Sequence, residues 1–345
     1  MNYDAILLVS FGGPECNADV LPFLENVLRG RNVPRERMLQ VAEHYYLFGG
    51  KSPINDQNRA LIAALRNELK THGPDLPTYW GNRNWHPMLA DTLRQMKSDG
   101  VKRAIAFATS AYSSYSSCRQ YRENIAAAQA AAGEGAPVVD KLRPFYNHPL
   151  FIDANVDHVR EALDRIPADR RTSARIAYTA HSIPVGMSQT CNYHRQLLEV
   201  GRLVSEALGR TPDPLVFQSR SGPASQPWLE PDILDHLREI RREGATDVVI
   251  APIGFVSDHM EVIYDLDTEA RLLCNELGLK MERAATAGTH PKFVRMIREL
   301  IVERMDQSAA KQVVGIYPAN LDVCLVDCCP APARAATVTP ATTTA

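Results

Sequence analysis

The chain has 345 residues, 45% hydrophobic and 23% charged, with a formal net charge of −2. That is the balance of a soluble globular protein of about two ordinary domains. It gives no reason to expect nucleic acid or an anionic membrane surface as partner, and no apolar stretch reaches the roughly 18 residues of a spanning helix.

The first apolar run, Ala5–Phe11, predicts a strand that ends at Gly12-Gly13-Pro14. The residues before it have no basic stretch, so no signal peptide and a cytoplasmic enzyme are expected. Further strands are predicted at Thr78–Gly81, Arg103–Ala108, Arg175–Thr179, Leu215–Gln218 and Asp247–Ile253. Amphipathic stretches separate them at Val20–Leu28, Gln57–His72, His86–Asp99, His148–Arg165, His194–Leu208, Ile233–Glu243 and Met260–Leu277. Short apolar strands alternating with helices argue for parallel sheets covered on both faces, an α/β fold.

The polar stretch Ile166-Pro167-Ala168-Asp169-Arg170-Arg171 suggests a boundary. Residues 1–167 are expected to form one α/β half and 168–290 a second. Residues 291–330 are expected to add a last helix and a Cys-rich segment that pack back on the first half. Residues 331–345, nearly all Ala, Pro and Thr, are expected to be a disordered tail.

Two segments carry chemistry. Thr179-Ala180-His181-Ser182-Ile183-Pro184 leaves one predicted strand, and Ser257-Asp258-His259-Met260-Glu261 follows another. In open α/β sheets ligands bind beyond the carboxyl ends of strands, which places both well. An imidazole near pKa 6.5 suits a base or proton shuttle. Glu261, Asp265 and Glu269 recur every four residues and would share one helix face. Each signal alone has a plainer reading. A loop histidine often only caps a helix, and acidic faces are common near helix N-termini.

Taken together, and in order along the chain, these segments resemble the ferrochelatase signatures. The resemblance includes Gln218-Ser219-Arg220-Ser221-Gly222-Pro223 with Pro227-Trp228-Leu229, and the run from Phe255 to Asp265. In the first half it includes Leu8–Pro14, Arg29-Gly30-Arg31 and Tyr46-Leu47-Phe48-Gly49-Gly50-Lys51-Ser52-Pro53. It covers residues 3–305. It implies a chelatase-like fold of two Rossmann-like halves with a porphyrin cleft between them, and insertion of Fe²⁺ into a porphyrin in haem biosynthesis.

Porphyrin metalation removes two pyrrole protons and inserts a cation. His181 fits as base and iron contact, with Glu261 as its partner at the metal. Imidazole with carboxylate holds Fe²⁺ loosely enough to transfer it. Asp265 and Glu269 would extend a hydrated path for protons or iron. The resemblance carries over Ser52 and Tyr121 as porphyrin contacts, and Tyr46 sits in an aromatic loop suited to the ring. Arg29 and Arg31 are candidates for the propionates, and Tyr112, Tyr115 and Trp228 for cleft aromatics.

Some bacterial members have a tyrosine where this chain has Phe11. The substitution favours the branch of high-GC Gram-positive bacteria, so coproporphyrin III is expected ahead of protoporphyrin IX. The other expected partner is a downstream haem-pathway enzyme. A monomer without stable membrane insertion is expected.

Of seven cysteines, Cys324, Cys328 and Cys329 crowd one segment. Some ferrochelatases hold a 2Fe–2S cluster with one internal and three C-terminal cysteines. Cys118, in Tyr115-Ser116-Ser117-Cys118, matches the internal position. Four thiolates is the number such a cluster takes. Free thiols in a flexible tail, or zinc, are the competing readings. The alternatives for the chain as a whole are a chelatase for another tetrapyrrole or metal, and a haem carrier on the same fold. A nucleotide-binding Rossmann enzyme is disfavoured, since Gly-x-Gly-x-x-Gly does not follow the first strand.

Overall fold

The computed structural model describes residues 2–30, 33–222, 225–306 and 308–331. Arg31 and nearly all of the expected tail lie outside them. Among the described residues, eight strands form two sheets. The first contains β1 (Ala5–Ser10), β2 (Thr78–Asn82), β3 (Arg103–Ala108) and β4 (Val138–Lys141), in the order β2-β1-β3-β4. The second contains β5 (Arg175–His181), β6 (Leu215–Gln218), β7 (Asp247–Ala251) and β8 (Lys280–Arg283), in the order β6-β5-β7-β8. Every neighbouring pair is parallel, so the halves share one topology.

β1 and β7 are buried along their whole length, which is why they read as unbroken apolar runs. β4 and β8 escaped the sequence reading for the opposite reason. Both are four-residue edge strands, Val-Val-Asp-Lys and Lys-Met-Glu-Arg. Charge on an edge strand discourages pairing with other chains, and it also erases the apolar signal.

One large core joins the facing sides of the two sheets and their helices, and the other face of each sheet packs a core of its own. Phe107 and Phe145 stack at 5.2 Å, and Phe293 meets Phe107 edge-on at 6.1 Å. Phe293 belongs to helix Pro291–Met305, which packs on helices Ile54–His72 and Pro149–Asp164. The buried Arg143 guanidinium grips Glu303 of that helix at 2.7 and 2.9 Å and donates to the Gln312 carbonyl at 3.1 Å. Outside this core, helices Asn17–Leu28 and Arg35–Tyr46 share a small one of Val20, Phe23, Leu24, Met38 and Ala42. Helix Arg35–Tyr46 was not expected, because only Met38 and Ala42 are buried on it. Tyr46, read as loop, is its last residue.

The expected helix Met260–Leu277 is broken into three. An α-turn at Met260–Ile263 leads into a π-helix at Asp265–Ala270 and an α-helix at Arg271–Leu277. The Glu269 N–H donates to the Tyr264 carbonyl at 2.9 Å, five residues back. Such wide turns occur mostly as short inserts at functional sites.

Gly254, just past β7, lies against the end of β5. Its N–H donates to the Thr179 carbonyl at 3.0 Å, and a Cβ there would sit 2.6 Å from the Ala180 Cα. Backbone cannot swing aside as a side chain does. Gly254→Ala is expected to cost about 2 kcal/mol, the middle of the overpacking range. Thermal unfolding of the variant checks this.

Candidate active site

β5 is an inner strand, and the connections leaving β5 and β7 head toward different edges of the sheet. A crevice opens at such a switch point, beyond the carboxyl ends of the strands. His181 is the last residue of β5 and is paired in register with Gln218, the last of β6. Beyond β7, His259 caps the short turn by accepting the Glu261 N–H on its Nδ1 at 3.2 Å. Gln218 donates its side-chain amide to the Glu261 carbonyl. Three strand ends thus bring His181 Nε2 to 3.3 Å from Glu261 Oε1. The side chains remain 29% and 45% exposed, so the pair faces open space.

His181 is held from behind as well. Its Nδ1 lies against the Ser182 carbonyl, an acceptor, so Nδ1 carries a proton and Nε2 faces Glu261. Its own carbonyl accepts from the Tyr193 hydroxyl at 3.0 Å.

Charge keeps the pair together. Burial presses the His181 pKa down, but the Glu261 charge and hydrogen bond outweigh it and raise the value to about 9. Burial pushes Glu261 up, and His181 reverses that to about 2. Asp265 behaves differently. Burial, with Glu261 and Glu269 adding, raises it to about 7, even though Ser219 donates a hydrogen bond to it. Burial also raises Glu269. The acidic ladder therefore contains one fixed anion and one group that titrates near neutrality. An imidazolium beside a carboxylate, backed by a carboxyl poised near 7, can pass protons; once the imidazolium has lost its proton, the pair offers one nitrogen and one carboxylate donor to a divalent cation.

The remaining sequence candidates fall in three places. Tyr46 is half-buried on the first-half side, and Arg29 is exposed past the end of helix Asn17–Leu28. Ser52 is buried beneath Gly13, where a Cβ would touch it. Tyr121 is buried too, with the Arg83 guanidinium 4.5 Å above its ring. The same guanidinium lies 5.6 Å from the ring of Phe11, which is partly exposed. Tyr112 is core, its hydroxyl donating to the Ile253 carbonyl at 2.7 Å. Trp228 is buried against Gly222. Tyr115 is half-buried, with its hydroxyl on Glu123 at 3.1 Å.

Away from the crevice, Cys118, Cys324, Cys328 and Cys329 line one cavity of about 230 Å³. Cys328 and Cys329 have their sulfurs 3.6 Å apart. A hydrogen bond from Cys324, helped by Lys141 and Arg122, lowers the Cys118 thiol to about 6 against its burial. Among the described residues, no group of three or more His, Cys, Asp or Glu is arranged around a single ion position. Nor is any described helix long and apolar enough to cross a membrane.

The family model for ferrochelatase matches residues 3–305. The chain belongs to the ferrochelatase family. A protein named ferrochelatase from Rhodopirellula baltica is 58% identical, the match covering 95% of this chain and 93% of that one. One named coproporphyrin III ferrochelatase from Streptomyces coelicolor is 52% identical over 95% and 94%. Among solved structures, SirB from Bacillus subtilis with Fe³⁺ shares the fold at 13% identity. Its TM-score is 0.53, with 88% of this chain and 98% of that one covered.

Within this ferrochelatase fold some contacts at the pair had no role in the sequence reading. Gln218 and Ser219 were legible as part of a motif after a strand. Tyr193 had no signal, because nothing in its neighbourhood distinguishes it from any helix start. Ser219→Ala removes a hydrogen bond that lowers Asp265, so the Asp265 pKa is expected to rise above about 7. A carboxyl ¹³C NMR titration reads the shift.

Proposed function

We propose that the crevice inserts Fe²⁺ into a porphyrin, with His181 and Glu261 contacting the incoming metal. The observation that carries this reading is the 3.3 Å His181–Glu261 pair, open to the cleft of a ferrochelatase-family chain. Only two donors, one imidazole nitrogen and one hard carboxylate oxygen, bind iron weakly, which transfer requires and storage does not.

The raised pKa of about 9 makes His181 an imidazolium at neutral pH, so it cannot take a pyrrole proton until it has lost its own. An approaching dication repels that proton, and Asp265, which titrates near 7 and feels the His181 charge, is the proposed acceptor. Glu269 continues the path outward. The freed imidazole then takes the two pyrrole protons one after the other, handing the first on to Asp265 after Asp265 has released its own proton outward through Glu269. In this reading Tyr46, Ser52 and Tyr121 shape the porphyrin side, with Ser52 and Tyr121 acting from beneath the surface, and Arg29 meets a propionate. Coproporphyrin III is the expected substrate. Phe11, which offers no phenol to iron, and the coproporphyrin III relatives support that choice.

Cys118, Cys324, Cys328 and Cys329 are the proposed ligands of a 2Fe–2S cluster. The donor set fits: four thiols line one cavity that Arg119, Arg122 and Lys141 also line, and those cations offset thiolate charge. Arg119 and Arg122 also donate to the Cys328 and Cys324 carbonyls, at 3.2 and 3.4 Å. Such a cluster supplies one-electron chemistry and sensitivity to oxygen.

His181→Ala is expected to lower anaerobic metalation at least ~100-fold, the lower bound for losing a positioned base. Coproporphyrin binding, followed by fluorescence quenching, should stay nearly unchanged. Substantial turnover by this variant would sink the assignment. Wild-type enzyme is expected to turn over coproporphyrin III faster than protoporphyrin IX in the same assay. Protein purified without oxygen is expected to contain acid-labile sulfide, and a colourless, sulfide-free preparation contradicts the cluster.

A further inference from the structure

The structure assigns Tyr193 a positioning role: its hydroxyl, clamped from the first half of the molecule, fixes the end of β5 that presents His181. This rests on the proposed role of His181 at the metal.

Tyr193 opens helix Tyr193–Ala207 and is buried. Its hydroxyl donates to the His181 carbonyl at 3.0 Å. The bond therefore acts on the backbone of the residue whose imidazole meets Glu261. Tyr193 is itself held by first-half residues. Its ring stands edge-on to Tyr112 at 5.9 Å and 83°. Tyr112 donates to the Ile253 carbonyl at 2.7 Å, two residues past the end of β7, on the segment that leads to Glu261. Two ring-packed phenols thus tie down the ends of both strands that carry the pair.

The helix cannot slide away from this contact. One turn beyond Tyr193, Gln196 accepts the Ser113 N–H at 2.7 Å and donates to the Ser113 hydroxyl at 3.1 Å. Both residues are buried. Tyr112 and Ser113, adjacent on the loop after β3, therefore meet Tyr193 and Gln196, one turn apart on the helix. A buried hydroxyl needs some acceptor, and many core tyrosines satisfy that need without consequence. Tyr178 is such a case here, in the middle of β5 with its hydroxyl 2.9 Å from Ser205 of helix Tyr193–Ala207. Tyr193 differs in what it holds. An error of about 1 Å in a reacting group can cost on the order of 100-fold in rate, so a bond that fixes the His181 main chain is worth more to turnover than to stability.

The test compares Tyr193→Phe with Tyr178→Phe, since each loses one buried hydroxyl and keeps its ring. Steady-state metalation of coproporphyrin III by Fe²⁺ is measured without oxygen, alongside thermal unfolding. Tyr193→Phe is expected to lose about tenfold in kcat, with the porphyrin KM within twofold and one porphyrin bound per chain. Tyr178→Phe is expected to lower the unfolding temperature by a similar amount and leave kcat unchanged. A wild-type kcat in Tyr193→Phe, or equal kcat losses in both variants, overturns the proposal. His181→Ala separates the two levels. If it abolishes turnover while Tyr193→Phe is normal, only the positioning role fails. If it retains turnover, the metal-site reading fails first.

Discussion

The His181–Glu261 ion pair is the constraint on which the rest of this cleft depends. Burial presses each group toward its neutral form. Their 3.3 Å separation reverses both tendencies. The pH consequence has a definite sign. His181, raised above 6.5, contributes stability that is full below that value and is lost as pH rises through about 9. Glu261, lowered from 4.5, contributes stability present above that value and lost as pH falls through about 2. Both side chains are partly open to solvent, so the energetic gain is modest, and the pair matters more for chemistry than for holding the fold.

Holding two such groups together takes more than the sheet that carries them. β5 delivers His181 and the turn after β7 delivers Glu261, and the first half braces the segment after β7. Tyr112 reaches the Ile253 carbonyl, and Gln57 accepts the Asp258 N–H at 2.8 Å. His44 stacks on Tyr264, with centroids 3.7 Å apart, one residue before Asp265. The shared core, which runs from Phe107 and Phe151 of the first half to Tyr178 and Phe217 of the second, makes the two halves one packing unit. The crevice is thus a property of both halves, although its charged groups come from one.

Much of this was legible in the sequence, for identifiable reasons. Strands buried on both faces announce themselves as apolar runs, so β1, β3, β5, β6 and β7 were readable, and with them the strand ends that carry His181 and Glu261. Edge strands β4 and β8 were not, since their charge is what makes them good edges. Helix Arg35–Tyr46 was hidden because it buries little. The acidic ladder was readable as a spacing of four. The π-turn in its middle was not, because no local residue pattern demands an extra residue per turn. Ser52 and Tyr121 were carried over by resemblance to the family, and both are buried. Contacts such as Tyr193 with His181 depend on two elements meeting in space, and a linear pattern does not encode that meeting.

The claim that His181 and Glu261 act as one unit is tested most directly by a double-mutant cycle on anaerobic metalation of coproporphyrin III. The variants are His181→Ala, Glu261→Gln and the two combined. A coupled pair predicts that the double variant loses no more turnover than the worse single variant. Losses that multiply, as for two independent sites, would contradict the account.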